Sequence, residues 1–248
     1  DLLDAVGGIE NLYHSNGMES IKDYKDREEC TLMAVGGLPD VNTENPAFQD
    51  YFIAFLNDCI ACGADGFRYD TAKHIGLPDD PKDDESLENN FWERVIEEVD
   101  KSDELFIYGE ALQDGGERLE DYMEAIGATT ASMYGQRIRD SFKASSISAG
   151  AISNFQIRDA EPNIVTWVES HDNYISDGTS ELDNDLVKLA YAFIASRAEG
   201  TPLFFSRPYG AEPGNKWGTF NKIGMAGDEL YKDEVVVAAN RFRNAMQK

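Results

Sequence analysis

Apolar residues return along this chain in two alternating rhythms. Asn45 and Pro46 suit the cap and first position of a helix. After them Phe48, Phe52, Phe55, Leu56, Cys59 and Ile60 share one face at helical spacing, up to Gly63. GADGFRYD (63–70) then reads as a strand. Phe91, Trp92, Val95, Ile96 and Val99 mark a second helix, and ELFIYGE (104–110) a second strand. Weaker signals predict a short helix near Glu117–Ala125, a strand over TTASMYG (129–135) and a helix over Arg137–Ala144. IVTWVESHD (164–172) is a strong strand pattern. Leu186, Leu189, Ala190, Phe193, Ile194 and Arg197 give a helical face ended by Gly200, and TPLFFSRP (201–208) is the fifth strand. A final helix runs from Asp233 to Met246, with Val236, Ala239, Asn240 and Phe242 in register.

Five strands, each followed by a helix, imply an α/β fold with a parallel sheet covered on its faces. Residues 1–44 show little periodicity and are rich in Gly, Asp, Glu and Asn. They read as the tail of a loop-rich subdomain, with 45–248 as the strand–helix body.

Composition narrows the function classes. The 248 residues are 42% hydrophobic and 28% charged. That length matches a whole (β/α)8 barrel of about 250 residues, yet only five units are visible. No segment approaches the roughly 20 apolar residues of a membrane-spanning helix. The net charge of −25 argues against a nucleic-acid partner, which asks for a basic footprint. It suits a neutral partner or a bound cation, and a solvated acidic surface accounts for most of it. The chain opens at Asp1 with neither Met nor a leader pattern, so a removed leader or a truncation is expected. Three cysteines, Cys30, Cys59 and Cys62, cannot close a disulfide framework. Cys59 and Cys62 have a C-x-x-C spacing, but both fall on the apolar helix face and read as packing.

Three expected strands end in acids: Asp70, Glu110 and Asp172. In a (β/α) barrel the C-terminal strand ends converge on one face, where the chemistry occurs. The intervals fit: 40 residues from Asp70 to Glu110 make one βα unit with a long loop, and 62 from Glu110 to Asp172 make two. Clustered carboxylates serve glycoside hydrolysis or hold a hard cation through oxygen. Arg68 lies two residues before Asp70 on the same strand and so points to the same side. Tyr69, Tyr134, Trp167 and Tyr174 lie near strand ends, where sugar stacking and core packing are both open.

Four segments carry a resemblance. GFRYDTAKH (66–74), GLPDVN (37–42), YGEAL (108–112) and WVESHDN (167–173) resemble, in order, the nucleophile motif of the α-amylase family, the short motif preceding it, the acid/base segment and the segment of the third carboxylate. The longer stretches look most like the Bacillus subtilis type. The resemblance implies a partial (β/α)8 TIM barrel, strands four to eight of eight, preceded by the end of the family's inserted domain. It implies retaining endo-hydrolysis of α-1,4-glucosidic bonds in starch and related glucans, outside the cell. Asp70 would be the nucleophile and Glu110 the acid/base, a role that needs burial or a nearby carboxylate. Asp172 would stabilise the transition state, Arg68 and His171 would contact nucleophile and sugar, and Lys73 and His74 would line the leaving-group side. The substrate partner would be an α-glucan polysaccharide or maltooligosaccharide. A structural calcium would use Asp40 and the backbone oxygen of His74. Chloride is not expected, since Ser170 stands where chloride-using members carry Asn. His14 lies outside these motifs and receives no role.

The first family motif, an Asp followed by an Asn-His pair, is absent, as are the strands before it. The expectation is therefore a fragment that lacks the N-terminal half of its barrel and has little activity alone. Rival readings are a family transglycosylase, a glucan-binding piece without turnover, and a calcium-dependent structural module.

Overall fold

The computed structural model describes residues 1–113, 116–144, 147–157, 163–219 and 221–246. Two compact units divide the chain, Asp1–Thr130 and Ala131–Lys248.

The first unit opens with two short helices, α1 (Leu2–Val6) and α2 (Arg27–Leu32), capped by the side chains of Asp1 and Asp26. Helix α3 (Pro46–Ala61) follows, then strand β1 (Gly66–Tyr69), helix α4 (Phe91–Glu97), strand β2 (Phe106–Gly109), helix α5 (Leu119–Ile126) and strand β3 (Thr129–Thr130). The start of α3 is as the sequence predicts. Pro46 occupies the first turn, and the Asn45 side chain accepts from Ala47 N at 2.9 Å. Strands β1 and β2 pair in parallel from Gly66↔Phe106 to Tyr69↔Gly109, and β2 pairs with β3 in parallel at Gly109↔Thr129. Two glycines make this approach possible. A Cβ on Gly66 would meet Phe106 O at 2.0 Å, and one on Gly109 would meet Ile126 Cδ1 at 2.7 Å.

Ile53, Leu56 and Ile60 of α3 bury against Tyr69, Phe91, Trp92, Val95 and Tyr122. Each fully buried large apolar side chain contributes about 1.5–3 kcal/mol. The buried face of α3 differs from the expected one. Phe55 is 54% exposed, while Gln49 is buried. Gln49 can enter the core because its amide donates to Thr43 O and Asn90 Oδ1 and accepts from Arg94 Nη1. Cys62 is exposed and Cys59 half-buried, so the expected packing of both thiols fails at Cys62. The helix ends at Ala61, leaving Cys62 as its cap residue.

The second unit contains α6 (Ser132–Lys143), α7 (Ala149–Ile152), β4 (Ile164–Trp167), α8 (His171–Ile175), α9 (Asn184–Ala195), β5 (Thr201–Leu203) and α10 (Glu234–Met246). Strands β4 and β5 are parallel, with Val165↔Thr201 and Trp167↔Leu203 in register. All four residues of β4 are buried, as expected of a parallel strand covered on both faces. Helices α9 and α10 pack together, with Tyr191 Oη donating to Asn240 Oδ1 at 2.9 Å.

Two elements depart from the sequence pattern here. Thr129–Thr130 is the whole of β3, and helix α6 already begins at Ser132, so SMYG is helical and not strand. Tyr134, Ile138, Gly135 and Arg139 form its buried face, a period that a seven-residue strand reading hides. The strand expected through Asp172 stops at Trp167. The α9 face is also rotated: Val187, Tyr191 and Ala195 are buried, and Leu189 is 56% exposed.

Asn45 also donates through Nδ2 to Asn11 O at 3.2 Å. Asn45→Ala should lower the unfolding free energy by about 1 kcal/mol or more. Asn45→Asp should recover the cap but not the Asn11 contact. Chemical denaturation of the three proteins checks this, and an unchanged midpoint for the Ala variant would show that the cap contributes nothing.

Candidate active site

Parallel pairing brings the first two acids to adjacent strand ends. Asp70 follows the last residue of β1, and Glu110 the last residue of β2. The ladder continues past the strands: Glu110 N donates to Tyr69 O at 2.7 Å, and Ala72 N donates to Glu110 O at 2.8 Å. Between them Thr71 takes a left-handed conformation, φ 47°. For a β-branched residue this is strained by about 1–3 kcal/mol. The strain turns the Thr71 amide onto the Glu110 carboxylate, with N–H to Oε2 at 3.1 Å.

The two acids meet different surroundings. The Asp70 side chain is 69% exposed and accepts from Arg68 Nη1 at 2.5 Å. Glu110 is only 6% exposed. Arg68 thus stands where the strand alternation puts it.

Lys73 and His74 follow in a 3-10 turn over Ala72–His74, and both side chains are buried. Lys73 Nζ donates to Leu112 O at 3.3 Å and lies 5.6 Å from the Tyr24 ring centre. His74 Nδ1 donates to Cys30 O at 2.8 Å. A network invisible to local sequence reading supports this turn. Arg27 holds Asp80 through two nitrogens, at 2.9 and 2.6 Å, and donates to Lys73 O at 3.1 Å. Tyr122 Oη bonds Lys73 O and Ile75 O. Burial raises the Asp80 carboxyl, but Arg27, the Leu77 amide and Arg118 outweigh it and hold the group below the usual carboxylate range.

In the second unit, Asp172 sits in the first turn of α8, five residues beyond β4, and not at a strand end as expected. Ser170 caps that helix, its Oγ accepting from Asn173 N at 3.3 Å. The cap converts the strand pattern of ESHDN into a helix start. His171 and Asp172 are exposed, with Nε2 3.4 Å from Oδ1. The four aromatics left open between stacking and packing, Tyr69, Tyr134, Trp167 and Tyr174, are all buried.

Asp40 has another partner. His14 Nδ1 lies 2.6 Å from Asp40 Oδ2, and His14 Nε2 lies 2.5 Å from Glu44 Oε2. Both ring nitrogens face carboxylates, which imidazolium serves with two N–H donors. Burial opposes the charge, but the bonds to Asp40 and Glu44 overcome it and push His14 up to about 9. The Asp40 carboxyl is itself pushed up by burial. The double carboxylate contact nevertheless fixes His14 as the cation. A cation bound at Asp40 would have to share that carboxylate with His14. Among the described residues, no three His, Cys, Asp or Glu side chains form a metal-holding group.

Parallel strands alternating with helices, with acids following the strand ends, place this chain among partial (β/α)8 barrels. α-Amylase I of Eisenia fetida, solved with maltohexaose, superimposes with a TM-score of 0.67 at 19% identity, covering 95% of this chain and 53% of that one. The chain belongs to the α-amylase catalytic-domain family, which matches residues 24–185. An α-amylase of Butyrivibrio fibrisolvens is 43% identical over 270 residues, covering 99% of this chain and 28% of the relative. An α-amylase of Clostridium acetobutylicum is 37% identical over 238 residues, covering 95% of this chain and 29% of the relative. The chain therefore spans less than a third of the length of these curated relatives.

The His14 clamp generates a pH dependence. Its folded-state value of about 9 lies above the unfolded 6.5. The stability it contributes is complete below pH 6.5 and is lost as pH rises through 9, on the order of 3 kcal/mol at most. Denaturation midpoints across pH 6 to 10 should fall in the native protein, and the fall should flatten in His14→Gln. An equal slope in both would remove the clamp as its cause.

Proposed function

We propose that this chain carries the reacting acids of a retaining endo-hydrolase of α-1,4-glucosidic bonds in starch and related glucans. The observation that carries the reading is the contrast between Asp70 and Glu110 at neighbouring strand ends, one exposed against Arg68 and one buried against the Thr71 amide. A retaining glycosidase needs two carboxyl groups in unlike settings.

In the first step the Asp70 carboxylate attacks the anomeric carbon. The glycosidic C–O bond breaks, and Glu110 gives its proton to the leaving oxygen. In the second step Glu110 takes a proton from water, the water oxygen attacks the same carbon, and Asp70 leaves as carboxylate. Asp172 would stabilise the oxocarbenium-like charge, and exposed His171 would contact the sugar. Lys73 and His74 are buried, so their first task in this reading is to hold the turn after Asp70. The family's α-amylases, one of them solved with maltohexaose, support an α-glucan substrate.

Glu110→Gln should lower kcat on amylose by roughly 10²–10⁴. The loss should shrink on an aryl maltoside, whose leaving group needs less protonation. Asp70→Asn should abolish turnover on both substrates. Retention of the α-anomer, followed by NMR of fresh product, completes the test; a β-anomer would reject Asp70 as nucleophile. Transglycosylation uses the same acids, and longer products from maltoheptaose would favour it.

The 248 residues contain no Asn-His pair of the kind the family resemblance implies. A polypeptide limited to them is expected to release no reducing ends from amylose. Sustained release by that purified polypeptide would show that these residues suffice for the cleft.

A further inference from the structure

The largest fully buried side chain among the described residues of the second unit is a cation, Arg207, 1% exposed. It lies beyond β5, in the segment SRP, and no acid adjoins it in sequence. Its partner is Glu169, 3% exposed and two residues beyond β4. Nε donates to Glu169 Oε2 at 2.9 Å and Nη2 to Oε1 at 3.0 Å, a bidentate fork. The remaining donors reach Leu182 O at 2.9 Å, Asn184 Oδ1 at 3.2 Å and Thr179 O at 3.2 Å. The guanidinium also lies 5.4 Å from the centre of the Tyr174 ring.

These contacts bracket one residue. Glu169 precedes Asp172 by three positions, Tyr174 follows it by two on the same short helix, and Thr179 O lies just beyond. Asp172 itself is exposed and makes no contact with Arg207 in the set above. A buried ion pair is weak evidence for stability, since well-packed apolar residues often replace one without loss. A planar fork with five donors is, however, well suited to fixing the geometry of several chain segments at once. We propose that Arg207, through Glu169 and the Tyr174–Thr179 loop, is a positioning residue that sets the Asp172 carboxylate for glycosidic cleavage. This rests on the hydrolase reading above.

The test uses the full-length protein that carries this chain, with Arg207→Lys and Glu169→Asp. Both variants keep the charges and so avoid a lone buried ion, but each loses the fork. Activity is measured well below each variant's melting temperature, with cooperative melting as the check of folding. The expected result is a loss of about 10²-fold in kcat, the scale of a 1 Å misplacement, with KM within about threefold, as for an interaction made only in the transition state. Near-UV circular dichroism should change too, because Trp167 Nε1 donates to Asn173 Oδ1 in the same turn. A merely structural role would lower the melting temperature and leave kcat alone. Should either variant fail to fold, the double variant R207M/E169M supplies an apolar replacement; folded and slow, it supports the proposal. Folded variants with kcat within about twofold of the parent overturn it. An inactive parent protein would overturn the hydrolase reading itself, whereas an active parent with unaffected variants overturns this inference alone.

Discussion

The parallel register of β1 and β2 is the constraint on which the chemistry of the first unit depends. In a parallel ladder, equal strand ends lie at one edge, and Tyr69↔Gly109 is the last pair. Asp70 and Glu110 are each the next residue. A slip of one position in either strand would turn that strand's acid to the opposite face. Gly66 and Gly109 protect the register, because any larger residue there would collide with Phe106 O or with Ile126 and Ala72. The strain at Thr71 is a consequence of the same pairing. With Glu110 N held by Tyr69 O and Glu110 O holding Ala72 N, the intervening peptide has little freedom left.

A second constraint is the disposal of buried charge. A chain with net charge −25 reads as an acidic surface, yet several of its acids lie inside. Asp80 is shared by Arg27 and Arg118, Glu44 is held by His14, and Glu169 is held by Arg207. Each pair joins segments far apart in sequence, from 30 residues for His14 and Glu44 to 53 for Arg27 and Asp80. Removing one partner leaves the other buried and alone, at a cost of about 3–5 kcal/mol. Such pairs define which loops lie where, and loops carry the chemistry in this architecture.

The sequence was most informative where a signal is local. Asn45 and Pro46 announce α3, and the acids after β1 and β2 can be placed from strand patterns alone. It was least informative where a distant partner decides. Gln49 is buried because Thr43, Asn90 and Arg94 satisfy it, so the helical face rotates away from Phe55. A two-residue strand such as β3 has no period to detect, and the first turn of the helix behind it, Ser132–Gly135, continues the strand-like pattern. Ser170 ends the β4 pattern by capping α8, a choice that side-chain type permits but does not force. His14 carries no motif, and only the fold brings Asp40 and Glu44 to its two nitrogens. Arg207 and Glu169 are 38 residues apart, and nothing nearby in sequence marks either as buried.

The two kinds of constraint explain why acids of one type can serve different ends. Glu44, Asp80 and Glu169 are buried, and Asp40 half-buried, beside cations that each engage at least one carboxylate oxygen. Asp70 and Asp172 are exposed, at 69% and 65% of their side-chain surface. Glu110 differs from this exposed pair. It is buried, and its carboxylate accepts from the backbone amide of a strained neighbour, Thr71. The strain at Thr71 therefore has a physical rationale: it turns the amide that helps orient the Glu110 carboxylate.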